Sequence, residues 1–178
     1  MNIRKPLFLL LLFVGACATD SHSPSTEDVG QWQQTAEKLT TLLKEEKFRE
    51  TENLTKTKIA ELLENANDTE ENDTLIKYAR QILSISYYNY LKSKQFRSGI
   101  EYMDSLSQIP FIHENCKHEL LSARASLHQM HGNNEQAIKL ANEYLQLPDY
   151  EDADRFIPQA EIVSGVYIYS GNDIPQAI

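Results

Sequence analysis

The residues with the greatest capacity for chemistry lie together, in His113-Glu114-Asn115-Cys116-Lys117-His118-Glu119. Imidazole and thiolate are the donor set of a zinc site. Helical spacing argues against one. His113 and Cys116 are three residues apart and share a face, whereas His118 falls about 140° around the helix from His113. Two ligands do not close a tetrahedral site, and no Cys-x-x-Cys or His-Glu-x-x-His spacing supplies more. The stretch reads as a helix start with a half-buried cysteine and solvated histidines. His128 and His131 repeat the three-residue spacing just before Gly132, where an imidazolium suits a helix C-terminus. No metal is expected at either place. A Gly-rich phosphate loop, a Gly-x-Ser-x-Gly elbow and a Ser-x-x-Lys pair are all missing. Carboxylates abound, but none is expected to have neighbours that would perturb its pKa. The chain is therefore expected to be no enzyme and to need no cofactor.

Covalent chemistry is expected at Cys17 instead. Arg4 and Lys5 precede an apolar run, Leu7 to Phe13, which leads into Val14-Gly15-Ala16-Cys17. This is the layout of a secretory signal ending in small residues. The run is too short to remain as an anchor, since a membrane span takes roughly 20 residues. Val-Gly-Ala-Cys resembles a bacterial lipobox, an aliphatic residue and two small ones before a cysteine. That resemblance implies a diacylglycerol thioether on Cys17 and cleavage before it, with residues 1–16 as the signal peptide. Several acyl chains on one cysteine hold a protein firmly where a single chain does so marginally.

Cleavage there removes two of the 17 basic residues and none of the 26 acidic ones, which moves the formal charge from −9 to −11. Phosphate backbones would be repelled, so nucleic acid is not an expected partner. Loose docking on an anionic lipid surface is disfavoured for the same reason. With Cys17 lipidated, Cys116 is the only remaining thiol, so no intrachain disulfide can form and helix packing must supply the stability.

Residues 17–28 are small and polar and read as a flexible tether. From residue 29 on, apolar residues recur at three- and four-residue intervals without strand-like alternation. Leu75, Ala79, Ile82, Leu83, Tyr87, Tyr90 and Leu91 make one helix. A turn at Lys94-Gln95 leads to a second helix through Ile100, Met103 and Leu106 that stops at Pro110. The plan repeats through Leu120, Leu121, Ala125 and Leu127, a turn at Gly132-Asn133-Asn134, and a helix through Ala137, Ile138, Ala141 and Leu145 that stops at Pro148. Each hairpin carries more apolar surface than it can bury against itself, so stacking on neighbours is expected.

The repetition is explicit. Gln95-Phe96-Arg97-Ser98-Gly99-Ile100 aligns with Asn133-Asn134-Glu135-Gln136-Ala137-Ile138 at a spacing of 38, and Pro110 and Pro148 keep the same spacing. Lys47-Phe48-Arg49-Glu50 is an earlier copy, 48 residues before Gln95. Ser170-Gly171-Asn172-Asp173 begins a fourth. Gly132, Ala137 and Pro148, with Ala125 in the preceding helix and Gly171 and Ala177 later, resemble the tetratricopeptide repeat (TPR): small residues where helices cross, a Gly-containing turn, and a Pro after the second helix. The repeats exceed the usual length of about 34 residues, the first has Thr51 at the small place, and Gly99 stands where Ala is usual. The resemblance implies an all-α, right-handed solenoid of TPR-like hairpins over 29–178, with repeats 29–70, 71–111, 112–150 and an incomplete 151–178. The chain ends at Ile178, where a helix opened by Pro175 would make its first turn, so a longer native protein is expected.

In TPR proteins the first helix of each repeat lines the concave groove. Carried over by position, this implies groove residues Thr40 and Lys44, then Ser84, Tyr88 and Lys92, then Ser122, Ser126 and Gln129, and lastly Glu161 and Tyr169. Tyr88, Lys92, Gln129 and Tyr169 are the leading partner-binding candidates, while Tyr87 and Tyr90 fall at core positions. The places used by carboxylate-clamp members hold Ala36, Thr40, Ser84, Tyr88, Ser122 and Ser126, none of them basic, so that activity is not implied. A lipobox joined to TPR-like helices is similar to envelope proteins common in Bacteroides-like organisms. The first reading is a lipid-anchored scaffold for protein–protein interaction, facing the periplasm, with the inner or outer membrane left open. The second is the periplasmic input region of a longer sensor such as a histidine kinase or transcriptional regulator. A glycan-binding outer-membrane lipoprotein comes third.

Lipidation carries its own test. The Cys17→Ser chain should leave the membrane fraction in cell fractionation, and unchanged partitioning would show that something else is the anchor.

Overall fold

The computed structural model describes residues 26–66, 73–148 and 162–169, and all regular structure among them is α-helical. The helices are α1 (Thr26–Lys44), α2 (Phe48–Ala66), α3 (Asp73–Lys92), α4 (Phe96–Leu106), α5 (Pro110–Asn115), α6 (Lys117–Met130) and α7 (Asn134–Leu145). Residues 162–169 form a further helix, α8. The all-α expectation therefore holds. The signal peptide, Cys17, Glu161, Gly171 and Ala177 lie outside the described residues. None of the described helices is long and apolar enough to cross a membrane.

Three turns, α1–α2, α3–α4 and α6–α7, share one set of hydrogen bonds. In the first, the Lys47 N–H donates to the Leu42 carbonyl and the Glu46 N–H to that of Leu43. Gln95 donates to Tyr90 and Lys94 to Leu91 in the second, and Asn133 to His128 and Gly132 to Gln129 in the third. Each is a Schellman closure, which satisfies two carbonyls that a helix end would leave unpaired. It requires a left-handed residue, supplied by Glu46 (φ 57°), Lys94 (φ 58°) and Gly132 (φ 88°). These three are spaced by 48 and 38, the same offsets as the sequence copies.

Burial alternates along the chain. On α4 only Gly99, Ile100, Met103 and Leu106 are buried, and on α7 only Ala137, Leu140, Ala141 and Tyr144. Those are single stripes at helical spacing, with the opposite face left to water. α3 and α6 are buried more nearly all round. On α6, Leu120, Ala123 and Leu127 face one core shared with α1–α5, whereas Leu121 and Ala125 face a second core with α7 and α8. α3 packs on α1, α2, α4 and α6, and α6 on α3, α4, α5 and α7. Packing thus runs between helices close in sequence, and α6 joins the two cores.

Gly99 shows how close the α3–α4 crossing is. A Cβ there would sit 2.8 Å from Cβ and 2.9 Å from Cγ of Tyr90, and 3.1 Å from Cδ1 of Leu127. Ala137, at the same place in the next hairpin, is fully buried. Thr51 holds that place in the first hairpin, also fully buried, with its hydroxyl donating to the Lys47 carbonyl at 3.0 Å.

Three expectations are corrected. Helix α1 begins at Thr26, inside the stretch 17–28 read as a tether, of which residues 17–25 lie outside the described ones. Pro110 does not stop α4, which ends at Leu106; it opens the short α5 from an early helical position, where its missing N–H costs nothing. The boundary drawn between 111 and 112 therefore cuts through α5. His113 and Cys116 also do not share one helix, since Cys116 (φ −126°, ψ 28°) breaks α5 from α6.

Gly99 and Lys94 should respond in opposite ways. An Ala for Gly change in a helix normally stabilises by about 1 kcal/mol, but at 99 the overlap with Tyr90 should reverse the sign and cost about 1–3 kcal/mol. Lys94→Gly should stabilise by about 1 kcal/mol, because glycine adopts the left-handed conformation without a Cβ penalty. Chemical denaturation of both variants reads the signs, and a stabilised Gly99→Ala chain would refute the close crossing.

Candidate functional site: an apolar groove between α3, α6 and α8

The histidine–cysteine stretch forms no site. Cys116 is fully buried at the α5–α6 break, and burial pushes its thiol well above the usual range, which leaves it unreactive. His113 is exposed. His118 lies edge-on to the Tyr144 ring, 5.6 Å between centroids, with Nε2 3.2 Å from the Pro148 carbonyl. Burial lowers its pKa, which favours the neutral ring. His128 Nδ1 lies 3.4 Å from the Asn133 amide, at the turn. Among the described residues no three His, Cys, Asp or Glu side chains come together as a metal would require.

A groove of about 530 Å³ opens instead between the C-terminal ends of α3 and α6 and the length of α8. That is within the range of pockets that take a small ligand or a few side chains. Leu91 and Phe96 line it from the α3–α4 hairpin, Met130 from the end of α6, and Ile162 and Val166 from α8. Val166 and Ser126 are buried in its floor. The Ser126 hydroxyl is 2.9 Å from that of Tyr87, whose pKa is raised by its burial. Polar groups stand at the edge: the exposed Lys92 and Lys94 on one side, Gln129 on α6. Tyr169 is 75 % exposed and Met130 46 %, so both offer apolar surface at the mouth.

Three of the four leading candidates, Lys92, Gln129 and Tyr169, border this one groove. Tyr88 does not. It is exposed, one turn before Lys92, with its ring 4.9 Å from that of Tyr87. One lesser candidate is corrected: Ser122 is fully buried, its hydroxyl donating to the Glu119 carbonyl. Ser126 does line the groove, with its hydroxyl engaged by that of Tyr87. Both lie where α6 is covered on two sides. Thr40 and Ser84 turn their hydroxyls back to Ala36 and Arg80 carbonyls, and Lys44 is exposed away from the groove lining.

Gly165 is the lining residue that periodicity passes over. It lies inside α8, where a glycine costs about 1 kcal/mol relative to alanine. No close approach demands it, since a Cβ would meet only the Tyr169 ring, at 3.9 and 4.0 Å. Its effect is to leave the groove wall bare. A lone glycine within an otherwise helical pattern was the available signal. Met130 and Phe96 gave none, because their positions are usual for core.

The chain matches no protein-family model, and no curated protein or solved structure matches it significantly.

Proposed function

We propose that the chain is a lipid-anchored scaffold of the bacterial cell envelope that holds a protein or peptide partner in the groove between α3, α6 and α8. Its hairpins stack as a right-handed, TPR-like solenoid, and Cys17 carries the membrane anchor. The observation that carries the reading is the origin of the groove: it is built on the first helices of successive hairpins, α3 and α6, together with α8. In a TPR-like stack those helices line the concave side. The three matching turns support the repeat. The surface chemistry suits binding, with an apolar centre, exposed aromatic and methionine side chains, and a polar edge.

The partner-binding set follows from this geometry. Tyr169, Met130, Gln129 and Lys92 are the contact residues, and Tyr88 is a flanking one. A photo-crosslinking amino acid placed at Tyr169 in living cells should give a discrete protein adduct. The same group at Glu101, exposed on α4 away from the groove, should give little. Tyr169→Ala should leave the melting temperature nearly unchanged, as an exposed side chain contributes little. Equal labelling at both positions, or none at Tyr169, would remove the groove as the working surface.

A further inference from the structure

The electrostatics of the groove narrow its occupant. The chain is strongly acidic, with 26 Asp and Glu against 17 Lys and Arg. Yet among the described residues the charged ones lining this groove are both cationic, Lys92 and Lys94. Neither takes part in an ion pair among the described residues. Two unpaired ammonium groups at the lip of an apolar cleft favour a carboxylate beside an apolar group. Gln129 adds an amide, which can both donate to and accept from a peptide backbone. A hydrocarbon chain would leave that amide unused. Gly165 withholds a side chain where one would fit without clash, so the space beside Val166 and Ile162 stays open.

We propose that the groove receives an acidic peptide segment. A leucine-sized or aromatic side chain enters beside Gly165, and neighbouring carboxylates, from side chains or a C-terminus, face Lys92 and Lys94. This rests on the groove being the working surface. It goes further in naming the chemistry of the partner, and it places the cations in the α3–α4 hairpin.

Random peptides displayed on phage, selected on the detergent-solubilised full chain, provide the test. Enriched peptides should combine Asp or Glu with Leu, Ile or Phe within a few residues. Lys92→Ala with Lys94→Ala should weaken their binding roughly fivefold at low salt, and less as salt rises. Gly165→Leu should abolish it by filling the groove. Met130→Asp, an exposed rim change that does not depend on core packing, should also weaken it by repelling the carboxylates. If enriched peptides lose binding with Gly165→Leu but show no acidic bias and ignore the lysine changes, the charge inference falls and the groove stands. If no peptide depends on Gly165 or Met130, both fall. Phosphatidylglycerol vesicles bound through Lys92 and Lys94, with no peptide enriched, would overturn the peptide in favour of a lipid surface.

Discussion

Three hairpins among the described residues reverse within three residues, and that reversal depends on one left-handed residue per turn. A helix end leaves its last carbonyls without intrahelical partners. At Glu46, Lys94 and Gly132 the left-handed backbone folds two N–H groups back onto them. The residue that closes one helix, Lys47, Gln95 or Asn133, then accepts the first bond of the next through its own carbonyl, from Thr51, Gly99 or Ala137. The turn thereby fixes where the second helix begins and how steeply it leaves. Four or five residues on, the two helices are so close that Gly99 has no room for a methyl group.

From that geometry follows the division of labour between helices. The second helix of a hairpin, α4 or α7, covers one side and presents the other to water. The first, α3 or α6, is caught between its own partner and its neighbours. Such a helix can carry polar groups only where they find local partners. Thus Ser122 bonds to the preceding turn and Tyr87 to Ser126. The most demanding case is Glu119, 5 % exposed, with its carboxylate 3.7 Å from Arg80 Nε. Arg80 also donates to the Asn115 carbonyl at 2.8 Å, at the break between α5 and α6. One α3 side chain thus serves both a helix end and a buried charge, either of which would be costly to leave alone.

The groove lies where this scheme leaves a gap. α8 covers Leu121 and Ala125 through Val163, Val166 and Tyr167, yet its contact with the α3 end is incomplete. Leu91, Phe96 and Met130 border the space that remains. Its apolar walls are therefore the ordinary core-facing surface of packed helices, left accessible. Lys92, Lys94 and Gln129 give it a polar edge.

Much of the fold was legible because it rests on local rules. The 38- and 48-residue offsets, the turns at Lys94-Gln95 and Gly132-Asn133 and the small places at Gly99 and Ala137 each need only a few adjacent residues to be recognised. Helical periodicity gave the class. It could not place α5, because Pro110 can end one helix or open another. Nor could it separate Tyr88 from Tyr169, which depend on how far α8 extends over α3 and α6. The two glycines mark the boundary most clearly. Gly99 and Gly165 each stand within a helical pattern, and only Gly99 has a counterpart, Ala137, at the repeat offset. Packing makes the first indispensable to a crossing and leaves the second beside open space. Composition and spacing act along one helix, whereas that difference is set by which atoms a neighbouring helix brings within van der Waals reach.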